Sequence, residues 1–216
     1  MAAAPLTMSE QRRAVVDFTV PFMTFGSAIL MKKPHTDVNG TTQSPPLPTI
    51  SSISDLAYQK DIMYGVIKDG RTASFFSRST DPAYKQMWQE MSNNPDYGTV
   101  PDTKEGVRKV RQLDGRYAFI TEGPTATFWT HRQPCDLVRV EGQLDTRNFA
   151  LAVRPGSEWK EKIDAALTQM KEDKELERLY HKWWIARSEC NGATSVISSG
   201  SVVIALLTVL VAVASY

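Results

Sequence analysis

Short apolar runs alternating with capped helical stripes predict an α/β fold with largely parallel strands. Three observations carry that expectation. Residues 62–67 and 116–122 are apolar runs of strand length, one stopped by Asp69-Gly70 and the other ending on Glu122. Stretches with apolar residues at spacings of three and four separate them, opened by Asp81-Pro82, Thr103 and Pro124-Thr125. The composition suits a packed core: 216 residues, 42% apolar and 23% charged, enough for one or two domains. A formal charge of +1 and the lack of a basic patch interleaved with aromatics exclude nucleic acid as a partner class.

The elements follow in order. Thr7 or Ser9 caps a helix whose first turn holds Glu10, setting Arg12 beside outward-pointing N–H groups. Taken alone, Arg12 and Arg13 read as solvated surface cations; the alternative is an arginine fork that receives a carboxylate. Residues 21–33 form an extended apolar run ended by Pro34. Residues 35–54 are a proline-rich linker, and Asn39-Gly40-Thr41 within it is an acceptor sequon for N-glycosylation. Ser54 and Asp55 cap a short helix through Tyr58, 62–67 is a strand, and 72–78 is a short helix. The helix opened by Asp81-Pro82 carries the stripe Tyr84, Met87, Trp88, Met91, which is core packing. Residues 93–101 read as a loop, and Thr103 caps a helix with Val107 and Val110 facing inward. Residues 116–122 are a strand, Pro124-Thr125 opens a helix through Trp129, and 137–140 and 149–153 are two further strands. Gly156-Ser157 begins a long helical region whose stripes are Trp159, Ile163, Ala166, Leu167, Met170 and then Leu176, Leu179, Tyr180, Trp183.

The two ends differ. The start, MAAAPLT, lacks the basic residues and apolar core of a signal peptide. In residues 202–214 the only polar side chain is Thr208; with Val196 and Ile197 the apolar zone approaches the roughly 20 residues of a membrane helix. A spanning helix over 196–216 is the favoured reading, with a lipid-anchor signal and a core element as alternatives.

The chemistry points to binding, not catalysis. There is no G-x-S-x-G, H-E-x-x-H, P-loop or G-x-G-x-x-G, so no enzyme is expected. The histidines are isolated and no CxxC occurs, so neither metal nor cofactor is implied. Cys135 and Cys190 are small buried residues in a cytosolic chain and a pair in an extracellular one. Gly70-Arg71-Thr72 lies where a strand turns into a helix, so its N–H groups and the Thr72 hydroxyl are set to hold an anionic oxygen. Glu122 ends another strand and complements an ammonium; Arg12 complements a second carboxylate. Singly, Thr72 reads as a helix cap and Glu122 as a surface strand cap. Together they complement an acidic amino acid.

The segments APLTMSEQR with VVDFTVPFM, DLAYQ, DGRTASFF, KQMW, EGVRKV, RYAFITEG, QPCD, LDTRNFALAVRPGS and HKWW, in this order, resemble the ionotropic glutamate receptors of the AMPA and kainate type. The resemblance runs from about Ala4 to Cys190. It implies a periplasmic-binding-protein-like two-lobed clamshell with one lobe incomplete. Residues 1–25 form a partial first lobe, 26–145 the second lobe interrupted by a linker at 34–54, and 146–190 a helical return to the first. The implied ligand is L-glutamate or a related acidic amino acid. By the same resemblance Pro5 offers its carbonyl, Thr7 its hydroxyl and N–H, Arg12 grips the α-carboxylate, Thr72 holds the side-chain carboxylate and Glu122 takes the α-amine. A glutamate at 122, instead of an aspartate, resembles the glutamate-binding receptors. Cys135 and Cys190 match the family's disulfide. Lobe closure on the agonist would open a pore.

Three departures accompany the match. Arg71 stands where relatives carry a small residue. The first part of one lobe is absent. The interval 34–54 replaces the relatives' three membrane-associated segments, so this chain does not form a pore alone. A glutamate-binding portion of a ligand-gated cation channel is therefore expected at the plasma membrane, its binding region extracellular at a synapse, with tetrameric subunit partners. The alternative is a pore-less, membrane-tethered or lipid-anchored amino-acid-binding protein.

Overall fold

The computed structural model describes residues 2–34 and 48–190. The Asn39 sequon, most of the linker and the apolar tail at 196–216 lie outside the described residues. Among the described residues no helix is long and apolar enough to cross a membrane.

Two strands organise the molecule: β3 (Met23–Lys32) and β7 (Leu137–Val153). They pair antiparallel from Lys32↔Leu137 to Met23↔Phe149, with an irregularity between Gly26 and Ala28 where β7 holds extra residues. Beyond Phe149, β7 continues and takes β1 (Ala2–Thr7) and β2 (Asp17–Phe18), both antiparallel. On the other side β3 pairs antiparallel with β6 (Tyr117–Glu122). β6 pairs parallel with β4 (Met63–Ile67), and β4 pairs parallel with β5 (Thr99–Val100). The result is one seven-stranded mixed sheet.

That topology corrects the expectation of largely parallel strands. Parallel neighbours need a crossover, and among the described residues only β4, β5 and β6 are joined that way. The helices α3 (Arg71–Arg78), α4 (Pro82–Asn93) and α5 (Pro95–Gly98) lead from β4 to β5, and α6 (Thr103–Gln112) leads from β5 to β6. A second correction concerns β7. The two strands expected at 137–140 and 149–153 are one element, because the polar stretch between them is also extended. A third falls on 93–101, where α5 and β5 replace the expected loop.

Some of the helices begin where side chains satisfy their free N–H groups. In α2 (Ile53–Ala57) the cap is Ser52, two residues earlier than Ser54, and Asp55 closes a capping box. Just before it, Ile50 is already buried. The cap of α6 is Asp102 in place of Thr103, accepting from the Glu105 N–H at 2.9 Å. Asp81 caps α4 as expected.

Period-two alternation splits the core between the sheet's faces. Ile29 and Ile120 face α2, α3 and α4, meeting Leu56, Phe76, Met87 and Met91. Leu30 and Phe119 face α6 and α7 (Gly123–Thr130), meeting Val107, Val110 and Ala126. A third, smaller cluster joins Phe18, Ala150 and Ala152 with half-buried Leu6, Met8 and Val16. Against that end lies α8 (Trp159–Glu172), followed by α9 (Glu175–Tyr180) and a π-helical turn His181–Ile185. The stripe expected to bury on α8 does not: α8 has no buried residue, and Trp159 is 57% exposed. Polar bonds hold α8 instead, with Asp164 Oδ1 accepting from the Val20 N–H at 2.7 Å. Cys135 and Cys190 form a disulfide, fastening the end of the helical region to the turn after α7.

Candidate functional site

Chain ends of seven elements converge on one cleft. β1 delivers Leu6 and Thr7, and α1 (Glu10–Arg13) delivers Arg12. The turn after β4 delivers Ile67 and Gly70, and α3 opens with Arg71 and Thr72. β6 ends on Ile120, Thr121 and Glu122. Thr103 at the start of α6 and Thr125 in the first turn of α7 complete the wall. The cavity is about 240 Å³, slightly below the range of roughly 300–1,000 Å³ for drug-sized ligands. It suits a small metabolite.

Local sequence explains each placement. Ser9 caps α1 by accepting from the Arg12 N–H at 3.3 Å. The turn swings the Arg12 side chain back, and its Nη1 donates to the Thr7 carbonyl at 2.7 Å. Only one donor of the five-donor guanidinium is used there. Asp69, at φ +57°, makes the turn that lets α3 start directly off β4. The Gly70 cap supplies no side chain, leaving the first-turn N–H groups of α3 free for an anion. Thr72 is buried, and its Oγ1 accepts from Arg147 Nη1 at 2.9 Å. Across the cleft the Thr7 hydroxyl donates to Glu122 Oε1 at 2.6 Å.

Of the residues singled out in the sequence, Thr7, Arg12, Arg71, Thr72 and Glu122 line this cavity together. Pro5 lies on β1, two residues before Thr7. Asn39 is outside the described residues. Arg71 is half-buried, and its Nε is buried without a hydrogen-bond partner. Arg12 and Arg71 against Glu122 give the cleft a formal excess of one positive charge, which favours a ligand of net charge −1.

Sequence reasoning missed three contributors. Thr103 and Thr125 were legible only as helix starts. Arg147 sits in the polar middle of β7, where no periodicity marks it; its contact with Thr72 spans 75 positions of sequence.

Comparison with known proteins gives the chain's relatives. Residues 1–186 match the bacterial extracellular solute-binding proteins, family 3. Curated relatives include glutamate receptor 2 of Caenorhabditis elegans, 34% identical over 164 residues, covering 68% of this chain and 17% of the receptor. Glutamate receptor 3 of Mus musculus is 34% identical over 146 residues, covering 68% of this chain and 16% of the receptor. The chain thus spans under a fifth of the length of these relatives. A solved structure described as Drosophila muscle GluRIIB in complex with glutamate superposes with TM-score 0.72 at 30% identity, covering 84% of this chain and 67% of that one.

Proposed function

This chain belongs to the family-3 solute-binding proteins as an ionotropic glutamate receptor ligand-binding region, and from that premise we propose that its cleft binds L-glutamate or a closely related acidic amino acid. The chain is a binding protein, not an enzyme, as its relatives are. The observation that carries the ligand assignment is the convergence of Arg12, Thr7, Glu122, Arg71 and Thr72 on one small cavity.

Each role follows from charge and hydrogen-bond capacity. The spare donors of Arg12 take the α-carboxylate as a bidentate pair. Glu122 takes the α-ammonium, displacing the Thr7 hydroxyl that now occupies one of its oxygens. The freed hydroxyl and N–H of Thr7 then serve the carboxylate, and the Pro5 carbonyl serves the ammonium. The side-chain carboxylate reaches the first turn of α3, where free N–H groups, Thr72 and Arg71 supply donors. Arg71 adds a cation at this end, where relatives carry a small residue.

The same reading divides the chain into two lobes, residues 1–25 with 146–190 and residues 26–145, with Thr7 and Arg12 on one and Thr72 and Glu122 on the other. A ligand spanning both favours closure by as much as it binds the closed form better. The chain is then the agonist-binding portion of a ligand-gated cation channel at the plasma membrane, extracellular in orientation and working with other receptor subunits. The names of its relatives support this.

Isothermal titration of L-glutamate into the full chain tests the assignment. Saturable binding is expected, weakened in Arg12→Ala by about 30-fold or more, the cost of leaving a carboxylate unpaired. No binding, or binding indifferent to Arg12→Ala, sinks it.

A further inference from the structure

Arg147 stands behind the cleft, not in it. The residue is 4% exposed on β7. Two bonds fix its guanidinium: Nε donates to Asp145 Oδ1 at 2.7 Å, and Nη1 donates to Thr72 Oγ1 at 2.9 Å. Its Nη2 is buried with no hydrogen-bond partner. Every polar atom of this group is therefore spent or enclosed.

The bond to Thr72 has a consequence for that hydroxyl. A threonine hydroxyl has one proton and two lone pairs. With a cation donating into a lone pair, the proton must turn away from Arg147. Among the described residues no acceptor takes it. A threonine deep in a helix can give its proton to the carbonyl four residues back, but α3 starts at Arg71, so Thr72 has no helical carbonyl behind it. Two further groups at this end of the cleft are donors. The first-turn N–H groups of α3 have no intrahelical partner, and Arg71 makes no hydrogen bond or ion pair among the described residues.

We propose that Arg147 is a positioning residue for ligand selectivity: it holds the Thr72 hydroxyl as a donor toward the cleft, so this end accepts a carboxylate and rejects the matching amide. The inference rests on the reading that the ligand's side-chain group sits at Thr72. A carboxylate offers only acceptors and satisfies every donor there. An amide turns an NH2 toward N–H and O–H groups and leaves donors unpaired in a confined site, which is costly. Without Arg147 the Thr72 hydroxyl rotates freely and accepts from an amide as readily as it donates to a carboxylate. The second variant below follows from the same chain of bonds, since Asp145 is what orients the guanidinium.

The test is the ratio of dissociation constants for L-glutamine and L-glutamate, measured calorimetrically on the full chain. The wild-type ratio is expected to be about 100 or more, as for sites that recognise a group through buried polar partners. Arg147→Met should cut it about tenfold, mainly by weakening glutamate. Arg147→Lys, which keeps a cationic donor, should restore most of it. Asp145→Asn, nearly isosteric, should lower it severalfold and carries the test if Arg147→Met does not fold. Thr72→Val should lower the ratio like Arg147→Met, and neither Arg147→Met nor Asp145→Asn should lower it further in the Thr72→Val background. Equal weakening of both amino acids by the Arg147 and Asp145 variants, or a persisting effect in the Thr72→Val background, contradicts this inference alone. Failure of the wild-type chain to bind either amino acid contradicts the ligand assignment beneath it.

Discussion

The two ends of β7 carry very different amounts of structure. Its first half lies in a sheet covered on both faces, with Ile29, Leu30, Phe119 and Ile120 fully buried among helices. Its last residues carry β1 and β2 over a cluster of three buried apolar residues, and α8 beside them buries none. The candidate site straddles this contrast. Thr72 and Glu122 project from the well-packed region, whereas Thr7 and Arg12 project from the sparse one. On the proposed binding mode, packing is thus richest where the ligand's side chain would be read and thinnest where its α-carboxylate would be gripped. The arginine grip depends on a one-turn helix held by its Ser9 cap and by the Thr7 carbonyl.

The contrast is open to test by stability, from large effects to small. Phe119→Ala in the packed region should cost close to 5 kcal/mol, the upper end for a buried phenylalanine. Its ring packs closely on Gly106, where an added Cβ would approach it to 2.7 Å. Denaturant unfolding measures this loss. A cost under about 2 kcal/mol would mean that the cavity collapses and the region is less tightly packed than described.

Breaking the disulfide with Cys190→Ser should cost about 4 kcal/mol in the chain-entropy model, since it closes a loop of 55 residues. Hydrogen exchange should locate the loosening at the helical end. There the Glu189 N–H donates to the His131 carbonyl and the Trp184 indole donates to the Pro124 carbonyl. Equal loss of protection in β3 would show that the two regions unfold as one unit and would break the comparison.

At the small end, Trp159→Ser should change stability by no more than about 0.5 kcal/mol, as for an exposed surface site. Trp159 touches Lys162, whose Nζ lies 4.8 Å from the ring centroid. A larger loss would show that α8 is covered by something in solution.

How much of this was legible depended on whether the cause lay nearby in sequence. The α4 helix was readable because Asp81, Pro82, Met87 and Met91 act locally through a cap and a stripe. The strand directions were not. Antiparallel pairing of β3 with both β6 and β7 is set by contacts about a hundred positions apart, which alternation alone does not encode. β7 was read as two strands because Glu141 to Asn148 is polar, and propensity there yields to pairing with β3. In the site, termini and strand ends mark Arg12, Thr72 and Glu122 as candidates, but singly each reads as a surface cation or a cap, and only their combination and the family resemblance give them ligand roles. Arg147 was not found, because its importance lies in one tertiary hydrogen bond.

On the proposed function, residues from the sparse and the packed regions hold one acidic amino acid between them. Calorimetric titration of L-glutamate into the wild-type chain, Arg12→Ala and Glu122→Gln measures it most directly. One ligand per chain is expected, with affinity falling sharply in both variants. Absence of binding in the wild type, or a loss confined to one variant while the other binds like wild type, would contradict it.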